Sequence, residues 1–170
     1  FVDRFESGLT TYTGAKHAVA MVNGTAALHV ALQLAGVRPD DEVLIPALTF
    51  IATATAIIQA GATPVFVDVE PDTGNIDVDQ VAKQVSKKTK AIVPVHLYGQ
   101  MVDMVELNRF CSTRGIRIVE DAAHCVGGSR RGVRPTDLSS TACFSFYTTK
   151  HMTSGEGGAV ATNERILYDK

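Results

Sequence analysis

The 170-residue chain is 45% hydrophobic and 20% charged, a composition that allows one buried core and excludes disorder and collagen-like repeats. A formal net charge of −2, without a stripe of lysine and arginine, argues against a nucleic-acid-binding domain. Since no apolar run reaches the length of a membrane span and the first residues lack the apolar segment of a signal peptide, we expect a cytoplasmic protein.

Short β-branched runs alternate along the chain with longer segments of helical periodicity. The short runs are nearly continuous in apolar residues, as expected of parallel strands covered on both faces. We predict strands at 17–22, 42–45, 63–69, 91–97 and 116–120. Helices are predicted between them at 24–35, 50–60, 77–88 and 101–114. The alternation indicates an α/β domain in which helices flank a mostly parallel sheet.

This alternation stops after the fifth strand. Residues 121–140 carry glycine, arginine and proline with little periodicity, and the runs 141–147 and 157–162 predict two further strands. A final helix is expected to begin near Asn163 and to be cut off at Lys170. A chain that stops inside a charged helical turn is expected to be an incomplete protein.

The three cysteines are few and scattered. Cys111, Cys125 and Cys143 are an odd number without a CxxC pair, which argues against a disulfide framework and a zinc site. We expect them to pack as small apolar residues.

The first strand runs through Asn23-Gly24-Thr25 directly into a helix. Free backbone N–H groups and the positive end of the helix would make this junction a seat for a phosphate group. It is neither a Walker A loop nor a three-glycine dinucleotide fingerprint. An ordinary helix cap by Asn23 or Thr25 accounts for the same residues.

Ligands bind outside the carboxyl ends of the strands in open α/β sheets, so the residues at the other strand ends are also candidates for a site. Strand 116–120 delivers Asp121 and then His124. A carboxylate beside apolar chain is costly to bury alone, so we expect Asp121 to have a cationic partner. His124 is either a packed histidine or a catalytic one. Together with Glu120 these residues make no convincing metal site.

Two further strand ends carry aromatic rings. Phe50 follows Thr49 after the second strand, where it either packs in the core or stacks on a ligand. Tyr98 follows His96 after the fourth strand, and Gly99 then relaxes the backbone.

Lys150 lies in FSFYTTKHMTSGEGG, residues 144–158, between a hydroxyl-rich turn and a cluster of glycines. It is either a solvated surface lysine or part of a ligand cradle. Pyridoxal 5′-phosphate (PLP) requires a Schiff-base lysine, an acidic partner for its pyridine nitrogen, and a phosphate site. The strand ends offer a lysine, a buried carboxylate and an anion seat, together with an aromatic plane, so the set matches PLP.

Four stretches also resemble a known family. EDAAHCVGG, FSFYTTKHMTSGEGGAVATN, NGTAALHVAL and PVHLYGQMVDM are similar to the DegT/DnrJ/EryC1/StrS family of PLP-dependent sugar aminotransferases, in order and over essentially the whole chain. The resemblance implies that residues 1–170 form the large domain of a fold type I PLP enzyme, aspartate aminotransferase-like. It also implies a smaller C-terminal domain beyond this chain.

The resemblance assigns roles to individual residues. Lys150 matches the Schiff-base lysine, and Asp121 the partner of the pyridine nitrogen. Phe50 matches the position that stacks on the cofactor ring, and His124 a position near the ring hydroxyl. The phosphate-binding positions are Gly24, Thr25 and Ser145, with Ala26 as a further backbone donor.

The implied reaction is ping-pong transamination, in which L-glutamate gives its amino group to a nucleotide-linked keto-sugar. Lys150 would move the proton at the substrate carbon. Dehydratase members of the family have histidine in place of this lysine, so Lys150 favours an aminotransferase. The family also implies a homodimer with its active sites at the subunit boundary.

Two alternatives stay open. The chain could be a truncated, catalytically inactive domain that binds PLP or self-associates. A generic Rossmann-like nucleotide binder is the other alternative, but it leaves Lys150 and Asp121 unexplained.

Overall fold

The computed structural model describes all 170 residues and contains a seven-stranded sheet with helices on both faces. The strands are β1 (His17–Met21), β2 (Glu42–Pro46), β3 (Thr63–Val67), β4 (Thr89–Ile92), β5 (Arg117–Asp121), β6 (Thr141–Ser145) and β7 (Gly158–Thr162). The helices are α1 (Val2–Thr13), α2 (Gly24–Leu34), α3 (Ile51–Gln59), α4 (Val78–Gln84), α5 (Met104–Ser112) and α6 (Arg165–Tyr168). A 3₁₀ turn occupies Leu97–Gly99.

The strand order is β1-β7-β6-β5-β4-β2-β3. The five strands β3, β2, β4, β5 and β6 form parallel pairs, which confirms a mostly parallel sheet. The prediction of parallel pairing was wrong for β1, which pairs only with β7 and does so antiparallel. β7 also runs antiparallel to β6. It returns from β6 through residues 146–157 without a crossover helix, and a return of this kind reverses the strand direction.

Near-continuous apolar strands give the sheet a core on each face. Leu44 and Ile118 belong to one hydrophobic cluster, which includes residues of α4 and α5. Val43 and Val119, their neighbours along the same strands, belong to the cluster that contains α2 and α3. Because successive side chains of a strand point to opposite faces, both faces need helical cover, as predicted.

Three predicted bounds were wrong by three residues or more. The strand predicted at 91–97 ends at Ile92, because Pro94 has no N–H for the ladder. The helix predicted at 77–88 ends at Gln84, and the one predicted at 101–114 begins only after its cap residue, Asp103. The sequence reading also missed α1, whose residues are mostly exposed. The final helix is a single turn that begins two residues after Asn163.

The three cysteines are free and buried. Burial raises the pKa of Cys111 to about 12 and that of Cys125 to about 11, so both remain thiols near neutral pH. They pack as predicted. No group of three or more His, Cys, Asp or Glu side chains is arranged to hold a metal ion. None of the helices combines the length and the hydropathy of a membrane span.

Candidate active site

A cavity of about 470 Å³ lies at the carboxyl edge of the sheet. The walls come from the start of α2, the start of α3, the ends of β5 and β6, and the loop that follows β6. Seven of the eight predicted site residues line it: Gly24, Thr25, Phe50, Asp121, His124, Ser145 and Lys150. Ala26 is the exception, because it is not among the lining residues.

The start of α2 presents backbone donors to this cavity. The backbone carbonyl of Asn23 accepts the N–H of Ala27 at 3.1 Å, and its side chain Oδ1 accepts the N–H of Ala26 at 2.8 Å. Asn23 therefore caps α2. Its side chain accepts the N–H of Ala26, which we predicted as a donor to a phosphate group. The N–H groups of Gly24 and Thr25 have no partner within the helix, since they belong to its first turn. These two donors and the positive end of the helix dipole could hold an anion.

Gly24 is in tight contact with β6. A Cβ atom added to Gly24 would lie 2.9 Å from Cβ of Ser145. A Cβ added to Gly158 would lie 2.3 Å from the backbone C and O of Asn23. Glycine at both positions therefore lets the start of α2 approach the sheet. The hydroxyl of Ser145 accepts the N–H of Tyr147 at 3.4 Å, which leaves its proton free to donate.

Asp121 is the last residue of β5 and is only 5% exposed. The hydroxyl of Thr53 donates to its Oδ2 at 2.9 Å, and the N–H of Ala123 donates to its Oδ1 at 3.2 Å. No lysine, arginine or histidine of the chain forms an ion pair with it. Two neutral donors hold the carboxylate, and the cationic partner that we predict for Asp121 is not a residue of this chain. Asp121 faces the cavity without an ion pair to the protein.

Lys150 is half-buried, and its Nζ lies 2.9 Å from Nε2 of His124. The backbone N–H of Tyr98 donates to Nδ1 of the same ring at 3.3 Å. The neutral ring of His124 therefore carries its proton on Nε2 and donates to Lys150 when the lysine amine is unprotonated. Burial, and then the positive charge of Lys150, lowers the pKa of His124 below its ordinary value of 6.5. These contacts exclude a freely solvated Lys150.

Two aromatic rings lie at the mouth of the site. The side chain of Phe50 is 67% exposed, which excludes the core alternative, and Nζ of Lys150 lies 6.0 Å from its ring centroid. An exposed ring on the cavity wall can stack on a planar ligand. The ring of Tyr98 stacks on that of His124, with centroids 5.8 Å apart and planes inclined by 10°.

Glu120 lies on the opposite face of β5 from Asp121 and does not line the cavity. It is fully buried and accepts hydrogen bonds from Nε2 of His96 at 2.7 Å, the N–H of Thr136 at 2.8 Å, and the hydroxyl of Ser139. Nδ1 of His96 accepts the N–H of Val102 at 3.2 Å, so the imidazole is neutral and donates through Nε2. Glu120 and His96 therefore form a structural pair beneath the site.

The sequence reading missed one buried residue of the site. Thr53 is 1% exposed in the first turns of α3 and reaches Asp121 from 68 positions away. A threonine on the buried face of a helix needs a hydrogen-bond partner, and this was the available signal. The lining residues Tyr147, Thr149 and Glu156 were given no individual role, and Cys143 was predicted only to pack.

The sheet order, together with a lysine, a buried acid and a helix N-terminus at its carboxyl edge, defines a fold class: the aspartate aminotransferase-like large domain. The chain belongs to the DegT/DnrJ/EryC1/StrS aminotransferase family, whose model matches residues 1–170. Both the predicted family and the predicted fold type I class are confirmed.

Three similar proteins illustrate the relationship. The chain is 46% identical over 171 residues to a pleiotropic regulatory protein of Geobacillus stearothermophilus, and 44% identical over 170 residues to GDP-perosamine synthase of Caulobacter vibrioides. In each case it is covered completely and spans 46% of the relative, about half its length. The crystal structure of NtdA from Bacillus subtilis with bound cofactor PMP superposes with a TM-score of 0.92 at 33% identity, over 98% of this chain and 38% of that one.

Proposed function

We propose that residues 1–170 are the PLP-binding large domain of an aminotransferase that transfers an amino group from an amino acid to a nucleotide-linked keto-sugar. One observation carries the proposal. Asp121 is a buried carboxylate without a cationic partner in the chain, and it lines the same cavity as Lys150 and the N-terminus of α2. A ligand with a cationic ring nitrogen, a carbonyl group and a phosphate group matches those three features.

The residues present fit PLP group by group. The N–H groups of Gly24 and Thr25, with the hydroxyl of Ser145, would hold its phosphate. Asp121 would pair with its ring nitrogen, and Phe50 would stack on the ring. The bound PMP of NtdA supports this assignment, since PMP is the amino form of the same cofactor.

His124 and Lys150 would then lie on the reactive side of the ring. PLP, when bound, carries the amino group between two substrates and accepts electrons from the substrate carbon. Lys150 is the amine that would hold the carbonyl carbon of the cofactor, and once released it can move a proton at the substrate carbon. His124, neutral and with its proton on Nε2, would hold the released amine of Lys150 as a hydrogen-bond donor. The charge of Asp121 favours a protonated ring nitrogen.

The finer parts of the proposal concern substrates and assembly. The name GDP-perosamine synthase supports a nucleotide-linked sugar as amino acceptor. We infer L-glutamate as donor, a ping-pong order, a homodimer and a cytoplasmic location from the family resemblance. Lysine at position 150, where dehydratase members carry histidine, supports transamination.

A second candidate is a PLP-binding domain that self-associates without turnover. One observation favours it: α3 exposes Ile51 and Ile58 by 66% and 61%, and Leu48 shortly before α3 is also exposed. Exposed apolar patches of this kind mark association surfaces.

Absorbance spectroscopy of the chain with added PLP tests the proposal. We expect a visible band that borohydride reduction converts into a pyridoxyl group on Lys150, located by peptide mass mapping. Lys150→Arg should abolish the band, whereas Lys83→Arg, at an exposed lysine, should retain it. Reduced groups scattered over several lysines would contradict the proposal. Loss of the band on adding L-glutamate would favour the aminotransferase, and a stable band would favour the second candidate.

A further inference from the structure

The carboxylate of Asp121 forms a hydrogen bond to one side chain, Thr53, and Thr53 in turn forms a hydrogen bond to Thr49. The hydroxyl of Thr53 lies 2.9 Å from Oδ2 of Asp121, and the hydroxyl of Thr49 lies 2.8 Å from that of Thr53. Thr49 lines the cavity, whereas Thr53 is buried behind it. The three groups form a continuous chain of hydrogen bonds from the cavity wall to the carboxylate.

The number of hydroxyl protons decides which group donates in each of these two hydrogen bonds. An ionised carboxylate only accepts hydrogen bonds, so the single hydroxyl proton of Thr53 is directed at Asp121. Thr53 must then accept the bond from Thr49, and Thr49 donates. Hydrogen bonds in series polarise one another and strengthen the final one, here the bond to the charged group.

Thr53 also departs from what threonines in helices normally do. The usual partner is a backbone carbonyl three or four residues earlier, which satisfies the hydroxyl locally. Thr13 donates to the carbonyl of Leu9 at 2.8 Å in this way, and Thr55 to that of Ala52 at 3.1 Å. Thr53 instead crosses from α3 to β5. Valine would fill the same buried space, so packing alone does not require the hydroxyl.

We propose that Thr53 is a positioning residue for Asp121, itself oriented by Thr49, and that this hydroxyl pair holds the carboxylate in the rotamer that meets the ring nitrogen of the cofactor. The inference rests on the proposed role of Asp121. α3 also begins directly after Phe50. The same helix therefore carries both the stacking ring and the group that orients the acid.

Thr53→Val tests the inference, because valine keeps the shape and removes the hydroxyl. Loss of a hydrogen bond to a charged group is expected to weaken PLP binding about 10-fold. Thr53→Ser, which keeps a hydroxyl, should restore binding. Thr55→Val is the matched control on the same helix and should bind PLP as the unaltered chain does. Thr49→Val should cause a smaller loss, and it serves as the test if Thr53→Val does not fold.

A second measurement is independent of the cofactor. Three-bond NMR couplings of Asp121 in the chain without PLP should report one χ1 rotamer in the unaltered protein and in Thr55→Val. They should report averaged rotamers in Thr53→Val and a single rotamer again in Thr53→Ser. Unchanged couplings and unchanged PLP affinity in Thr53→Val would overturn the inference. If the unaltered chain binds no PLP, the proposed function fails, and the couplings alone decide whether Thr53 positions Asp121.

Discussion

Replacing Gly24 by alanine should damage the anion seat while leaving helix formation intact. The added Cβ would lie 2.9 Å from Cβ of Ser145, 3.4 Å from its Oγ and 3.5 Å from its Cα. Contacts of less than about 3.0 Å do not persist, and Ser145 is 7% exposed in the interior of the sheet. The start of α2 must therefore move away from β6, and the donors of Gly24 and Thr25 move with it.

The magnitude follows from two opposing effects. Alanine is favoured over glycine by about 0.5–1 kcal/mol in a helix interior, and by less at Gly24, the first residue of α2. Forcing an extra carbon into a packed contact costs about 1–3 kcal/mol. The variant should therefore lose about 1 kcal/mol in its free energy of unfolding, measured by urea denaturation. The variant should also bind PLP more weakly, whereas its affinity for pyridoxal, which has no phosphate, should change little.

Gly8→Ala is the matched control. Gly8 lies in α1 with nothing within 4 Å of an added Cβ, so this variant should gain about 0.5–1 kcal/mol and bind PLP normally. The double variant Gly24→Ala/Ser145→Gly removes the contacting carbon and should recover part of the lost stability. Equal losses of affinity for PLP and pyridoxal, or an unchanged stability of Gly24→Ala, would refute the reasoning.

Two further outcomes follow from the charges around the site. The pKa of His124, measured by NMR titration, should lie below its ordinary value of 6.5. Lys150→Ala should bring this pKa only part of the way back, because burial lowers it more than the charge of Lys150 does. A pKa of 6.5 or above in the unaltered chain would contradict this reasoning. Since the unfolded chain then binds the proton of His124 more readily, this group should stabilise the fold above pH 6.5, and its contribution should be lost as the pH falls towards the lower folded pKa. Glu120→Gln should destabilise the fold by about 3 kcal/mol in urea denaturation, because the amide would turn a donor towards Thr136 or Ser139; a loss below about 1 kcal/mol would refute the buried network.

Much of the fold was predictable because its signals are local. Apolar runs of strand length and helical periodicity between them located all seven strands and four of the helices to within a few residues. One error has a local cause, since Pro94 interrupts a strand-like run. The other, α1, was missed although Leu9 and Thr13, four positions apart, share its buried face.

The site was predictable only as a set of strand ends. Gly24, Asp121 and Lys150 were found because strand ends at one edge of a sheet converge. Which groups each side chain contacts could not be predicted from these strand ends. Asp121 is held by Thr53 and Ala123, which no local pattern indicates, and the N–H of Ala26, predicted as a phosphate donor, is bonded to Asn23.

By itself the sequence determined the alternation of strands and helices, the position of the strand ends, and the residues that match the family. Tertiary structure decided that β7 reverses direction, that Asp121 and not Glu120 faces the cavity, and that Thr53 completes the environment of the acid. The physical reason is the separation along the chain over which each effect acts. Periodicity and turn chemistry act over a few residues, whereas a hydrogen bond requires two groups about 3 Å apart that can be far apart in the chain.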